Sequence, residues 1–178
     1  MKSRHTQYLH RVCQRYGPGR LPGAERLDIG AGYAAATAAL VAALLFAVVA
    51  VIAETVGLLS SSDGFVWFAF AGIAVPVVVP IAFVVGVALW RFLPAELPFF
   101  GTISGLLGTV GTYVGSLFAV AFVLAGAATL GVTSADPVSA ATFSVGVVLL
   151  GFMITWWVAF PVGIVSGTVY TAVAVNAE

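Results

Sequence analysis

The sequence predicts an all-α integral membrane protein, a bundle of four transmembrane helices. Three observations predict it. Hydrophobic residues make up 61% of the chain and charged residues 8%, with a mean hydropathy of +1.12, far from the roughly 25% charged content of ordinary soluble domains. The apolar residues fall into four long runs, each at or above the roughly 20 residues a membrane crossing needs. The basic residues are lopsided: Lys2, Arg4, Arg11, Arg15, Arg20 and Arg26 precede the first run, and only Arg91 follows it.

Residues 1–28 read as a basic tail. Gly17-Pro18-Gly19 and Pro22-Gly23 break any helix twice. Before them, Tyr8, Leu9, Val12, Cys13 and Tyr16 recur at helical spacing beside Lys2, Arg4, Arg11 and Arg15, the pattern of a helix lying on a membrane surface with its bases on lipid headgroups. A short solvated tail is the competing reading, because so few turns form a marginal helix alone.

Residues 29–178 form the membrane domain, with spans expected at about 29–59, 65–90, 99–131 and 141–175. The first run is too long, and starts too late, for a cleaved signal peptide, and three more follow it. Pro76 and Pro80 interrupt the second run and predict a kink, with the Pro76 side facing protein, since each proline leaves a backbone carbonyl without its donor. Arg91 to Pro98 forms a connector, and the turn 132–140 carries Asp136 and Pro137. Six bases before the first span, Arg91 after the second, and only Asp63 and Asp136 in the other two turns orient both termini to the cytoplasmic side of a plasma membrane.

Glycine is the clearest internal pattern. Gly101, Gly105, Gly108, Gly111 and Gly115 lie on one side of the third span, where small residues let helices approach closely in lipid. This makes the third span a packing centre, within the bundle or against helices of other proteins; a glycine-lined conduit is the rival reading. A shift of 74 residues also places Ala47, Val49, Ala53, Thr55, Gly57 and Ser60 on Ala121, Val123, Ala127, Thr129, Gly131 and Ser134, and Gly72 on Gly146. That register suggests two tandem helical hairpins of the kind found in transporters with parallel repeats.

Chemistry-bearing residues are few. Glu54 is the only acidic residue within a predicted span, a candidate ion or proton site set against an interfacial carboxylate near the helix end. His5 and His10 are both in the tail, Cys13 is the single cysteine, and no span holds a histidine or lysine, which argues against a metal, a bis-histidine haem, a retinal Schiff base or any resident cofactor. No nucleophile elbow, zincin pair, phosphate loop or paired carboxylates point to an enzyme. Neutral net charge and the absence of any nucleic-acid motif argue against a nucleic-acid partner. Trp156 and Trp157 sit deep in the fourth run beside Pro161, where their indoles could bond to a carbonyl freed by Pro161, or line a cavity.

Two functions follow from this inventory. The first is a structural or accessory subunit that packs against other membrane helices or lipids. The second is a small transporter or channel working as an oligomer, since four helices leave little room for a pathway.

Overall fold

In a computed structural model, residues 22–23, 26–58, 65–93 and 99–175 are described; the tail bases Lys2, Arg4, Arg11 and Arg15, with His5, His10 and Cys13, lie outside them. Four helices account for nearly all of that chain: α1 (Leu27–Thr55), α2 (Phe65–Phe92), α3 (Phe100–Thr129) and α4 (Pro137–Val175). Each is long and apolar enough to cross a membrane. At 1.5 Å per residue the shortest spans about 42 Å, more than the roughly 30 Å hydrocarbon layer.

The helices alternate in direction and stand as a square. Each packs on its neighbours in sequence, α4 closes back on α1, and packing is heaviest within the hairpins α1–α2 and α3–α4. We call the end where α1 and α3 begin the base, and the opposite end the crown.

The helix ends have local causes. At the crown, α1 and α3 stop with Gly57 (φ 78°) and Gly131 (φ 71°) in the left-handed region, where a side chain would be strained. The Gly57 amide donates to the Glu54 carbonyl and Leu58 to Ala53, both at 2.9 Å; the Gly131 amide donates to Ala128 at 3.1 Å and Val132 to Ala127 at 2.9 Å. This pair of crossed bonds satisfies carbonyls that the last turn would otherwise leave open. α1 therefore ends at Thr55, four residues short of the predicted limit.

α4 begins four residues earlier than predicted because Asp136-Pro137 is a helix start and not a turn. Proline takes the first helical position, where its missing N–H costs nothing, and the Asp136 Oδ2 accepts from the Ser139 amide at 2.9 Å and from the Ser139 hydroxyl at 3.0 Å. Those bonds, the backbone one first, hold the Asp136 carboxyl below its ordinary value of 3.8. A lowered folded value means that the cap's contribution is complete above the ordinary value and is lost as pH falls through the folded one. The first-turn amides of α4 are therefore expected to show pH-independent protection from neutral down to about pH 4. Asp136→Ala should expose the Ser139 amide to several-fold faster hydrogen exchange, and Asp136→Asn should not.

Helix α2 corrects one expectation. It runs unbroken through Pro76 and Pro80 and onward to Phe92, so Arg91 is helical. Pro76, Pro80 and, on α4, Pro161 all lie on exposed faces, so the Pro76 side faces away from the bundle. The buried positions of α2 are the small residues Ala71, Ala82 and Gly86, and the prolines stand on other faces of the helix.

Candidate functional site

The five glycines of α3 span an arc of about 120° at 3.6 residues per turn, wide enough in a square bundle to meet two neighbours. They divide accordingly. Gly101 and Gly105 face α4 at Gly167 and Gly163: a Cβ on Gly101 would lie 2.8 Å from the Gly167 carbonyl oxygen and from the Thr168 Cα, and one on Gly105 would strike the Gly163 carbonyl. Gly111 and Gly115 face α2, where added Cβ atoms would lie 2.8 Å from Val85 Cγ1 and 2.5 Å from Ile81 Cγ2. Gly108 stands between the two contacts with room to spare, its nearest atom being Leu89 Cδ1 at 3.6 Å.

Gly108 has room because it borders a cavity. Between the four helices, in the basal half, all of them line a partly open chamber of about 110 Å³. A water molecule needs roughly 10–15 Å³ on the same measure, so the chamber holds several waters or one small organic molecule. The α1 wall is hydrocarbon alone: Ala31, Ala34, Ala35, Ala38, Ala39 and Ala42. The opposite wall carries hydroxyls, with Ser104, Thr109 and Thr112 on α3 and Ser166 on α4.

Each of those hydroxyls already spends its hydrogen on a backbone carbonyl: Ser104 on Gly101 at 3.1 Å, Thr109 on Gly105 at 3.0 Å, Thr112 on Gly108 at 2.7 Å and Ser166 on Ala34 at 3.3 Å. What remains for a guest is oxygen lone pairs. One turn beyond Thr112, Ser116 is 6% exposed, and its hydroxyl has no hydrogen-bond partner among the described residues.

Aromatic rings border the chamber at the base, and others pack beyond it toward the crown. At the base, Trp90 packs edge-on against Phe100 and Tyr170, each at 5.1 Å between centroids. Two polar ties secure this end. The Tyr170 hydroxyl donates to the Leu27 carbonyl at 2.7 Å, and the Arg91 Nε and Nη2 both donate to the Asp28 Oδ2, at 2.9 and 2.7 Å. Toward the crown, Phe46 follows Ala42 by one turn, is 4% exposed, and meets Trp67 at 5.9 Å and Phe70 and Trp157 at 6.4 Å.

The two hairpins contribute equivalent positions. A shift of 74 carries the α1 lining residues Ala31, Ala34, Ala35 and Ala38 onto the α3 lining residues Gly105, Gly108, Thr109 and Thr112. In the second helices the matching shift is 77: Gly86 approaches the Ala31 carbonyl and Ala35 Cβ as Gly163 approaches the Gly105 carbonyl and Thr109. Gly72 and Gly146, matched at 74 in the sequence, both stand in open space, with no atom within 4 Å of an added Cβ.

Glu54 lies at the crown end of α1, away from the chamber, where its Oε2 accepts from the Trp67 Nε1 at 3.2 Å. Neither Trp156 nor Trp157 lines the chamber. Trp157 stands behind Phe46, and its indole donates to the Ile154 carbonyl at 2.7 Å, a different group from the Trp157 carbonyl that Pro161 frees. Trp156 points outward, 52% exposed. Sequence reasoning named Gly105 and Gly108, which line the chamber, but missed Trp90, Tyr170 and the alanine wall of α1, whose alternating alanine pairs look like a plain packing surface.

Compared with known proteins, the chain matches no family model, no curated protein and no solved structure.

Proposed function

We propose that this chain is a small multipass transporter or channel whose substrate passes through the axial chamber. The observation that carries this reading is the chamber itself: a hydroxyl-bearing space between the four helices, bordered at the base by Trp90 and Tyr170, with the buried Phe46 one turn beyond its last α1 residue, Ala42. A binding site at the interface of two related hairpins is the arrangement that parallel-repeat transporters use, and the matched lining positions support reading the chain as such a duplication. In the same reading the base faces the cytoplasm at the plasma membrane, with both termini inside, on the strength of the basic tail and Arg91.

An accessory subunit is the second reading. Its original support, the glycine face of α3, is largely used within the chain, at Gly163, Gly167, Val85 and Ile81. One observation still favours it: Pro76 and Pro80 deprive the Gly72 and Pro76 carbonyls of their helical donors on an exposed face of α2, and lipid cannot replace them. A neighbouring helix could. Mild-detergent purification with mass determination would reveal such a subunit as a stoichiometric companion.

The transport reading is tested by filling the chamber. Gly108→Leu places a side chain into the chamber from a position with space for its Cβ. In proteoliposomes, osmotic shrinkage and solute re-entry should be at least tenfold slower for this variant than for the parent, with an unchanged thermal unfolding midpoint. Equal rates for both, or a parent no faster than empty vesicles, would refute the pathway.

A further inference from the structure

We infer that the chamber selects small uncharged solutes that donate hydrogen bonds, with the α3 hydroxyls as acceptors; this rests on the transport reading above. Two features of the wall point to that class, and a third lies on the route beyond it.

The first is the state of the hydroxyls. Ser104, Thr109, Thr112 and Ser166 each donate to a backbone carbonyl, so they meet a guest with lone pairs only. A guest rich in N–H or O–H groups finds partners at these four positions, whereas one that can only accept finds no free donor at any of them. Turning a hydroxyl round to serve an acceptor gives up its bond to a carbonyl that keeps its own helical amide, so donating to a guest only exchanges one hydrogen bond for another, whereas accepting from a guest adds one. Tyr170 is committed in the same way, to the Leu27 carbonyl.

The second is charge. The chamber is lined by alanine, glycine, leucine, hydroxyl residues and Trp90, with no carboxylate, ammonium or guanidinium among them. Among the described residues, the ionic groups next to the chamber's base, Asp28 and Arg91, are held to one another at 2.7 Å. An ion would enter without a countercharge, which in a low-dielectric interior is prohibitive. Glu54, the carboxylate that might have compensated a cation, binds the Trp67 indole at the crown and does not border the chamber.

The third is Ser116. It continues the Thr112 row one turn toward the crown, is buried, and has no hydrogen-bond partner among the described residues. Buried hydroxyls are ordinarily satisfied, so this unmatched one, one turn beyond the chamber lining, leaves a partner for a guest moving toward Phe46; able to donate as well as accept, it sets no preference between the two. The alanine wall of α1 supplies the complementary face, against which the carbon skeleton of the solute would lie.

The test uses the full-length protein in proteoliposomes and compares urea and glycerol, both donors, with dimethyl sulfone, a neutral solute that only accepts, and with potassium and chloride. Urea and glycerol should enter at least tenfold faster than through empty vesicles, and dimethyl sulfone and the ions no faster than through the lipid alone. The double variant Ser104→Ala/Thr112→Val, which keeps side-chain volume nearly constant, should slow urea about tenfold, and Thr112→Ser should restore the parental rate. A thermal unfolding midpoint matching the parent excludes misfolding as the cause. Dimethyl sulfone keeping pace with urea, or the double variant passing urea at full rate, would overturn the proposed selectivity while leaving the pathway standing. No solute moving faster than through bare lipid would overturn both.

Discussion

Gly105→Leu is expected to separate α3 from α4 and to unfold the bundle at a markedly lower temperature. The Gly105 Cα faces the Gly163 backbone, and Gly167 returns the contact, since a Cβ on it would lie 2.9 Å from the Gly105 Cα. The obstacle to a side chain is backbone and cannot swing aside as a flexible side chain would. Closely approaching helices gain dispersion contacts that lipid does not provide once they are forced apart. The cost should exceed the roughly 1–3 kcal/mol typical of overpacking a core, which for a chain of this length lowers the midpoint by more than about 6 °C. Thermal unfolding in detergent measures it, with Gly146→Leu as the control. Gly146 has the same residue type in a helix, but nothing within 4 Å of an added Cβ, and its midpoint should move by no more than the propensity change of a single residue.

Phe46→Ala should have the next largest effect, and on two readouts at once. Phe46 is among the most buried large side chains of the bundle and touches three aromatic rings from α2 and α4. Truncation leaves a ring-sized void whose walls lose their contacts, a change that costs about 3–5 kcal/mol in soluble cores. The lower end applies here, because lipid-exposed reference states reduce the transfer part of that cost. The same truncation joins the chamber to the crown half of the bundle. On the proposed pathway, stability should fall while the passage of small solutes rises severalfold. A fall in both would mean that Phe46 is only a packing residue, and Phe46→Leu, which keeps most of the volume, should retain parental stability.

Much of the fold is legible in the sequence because it follows from residues with few alternatives. Four apolar runs must become helices in lipid, since no other open segment satisfies its own backbone. Gly57 and Gly131 mark helix ends that the structure places 74 residues apart, at Thr55 and Thr129. Asp136-Pro137 was legible too, as a helix start, had the proline been weighed by its position after an aspartate instead of as a breaker. The site was harder to see. Glycine spacing on α3 showed an arc but not that two different helices would occupy it, because the split depends on how α2 and α4 sit around α3. Trp90 and Tyr170 lie 80 residues apart, and nothing local in either helix announces that they meet. A cavity bounded by alanine has no signature at all, since the residues that leave a space are the same ones that let helices close it.

The shift between the hairpins, 74 residues in one helix and 77 in the next, places an alanine wall opposite a hydroxyl wall. Had one hairpin paired with an identical copy of itself, symmetry would oblige both walls to carry the same chemistry, and any occupant could sit equally well in two opposed orientations. Two hairpins joined in one chain are released from that obligation. The chamber is thereby given handedness: its occupant has a front and a back, and Ala35 and Ala38 are the positions at which threonine would make the two sides alike again.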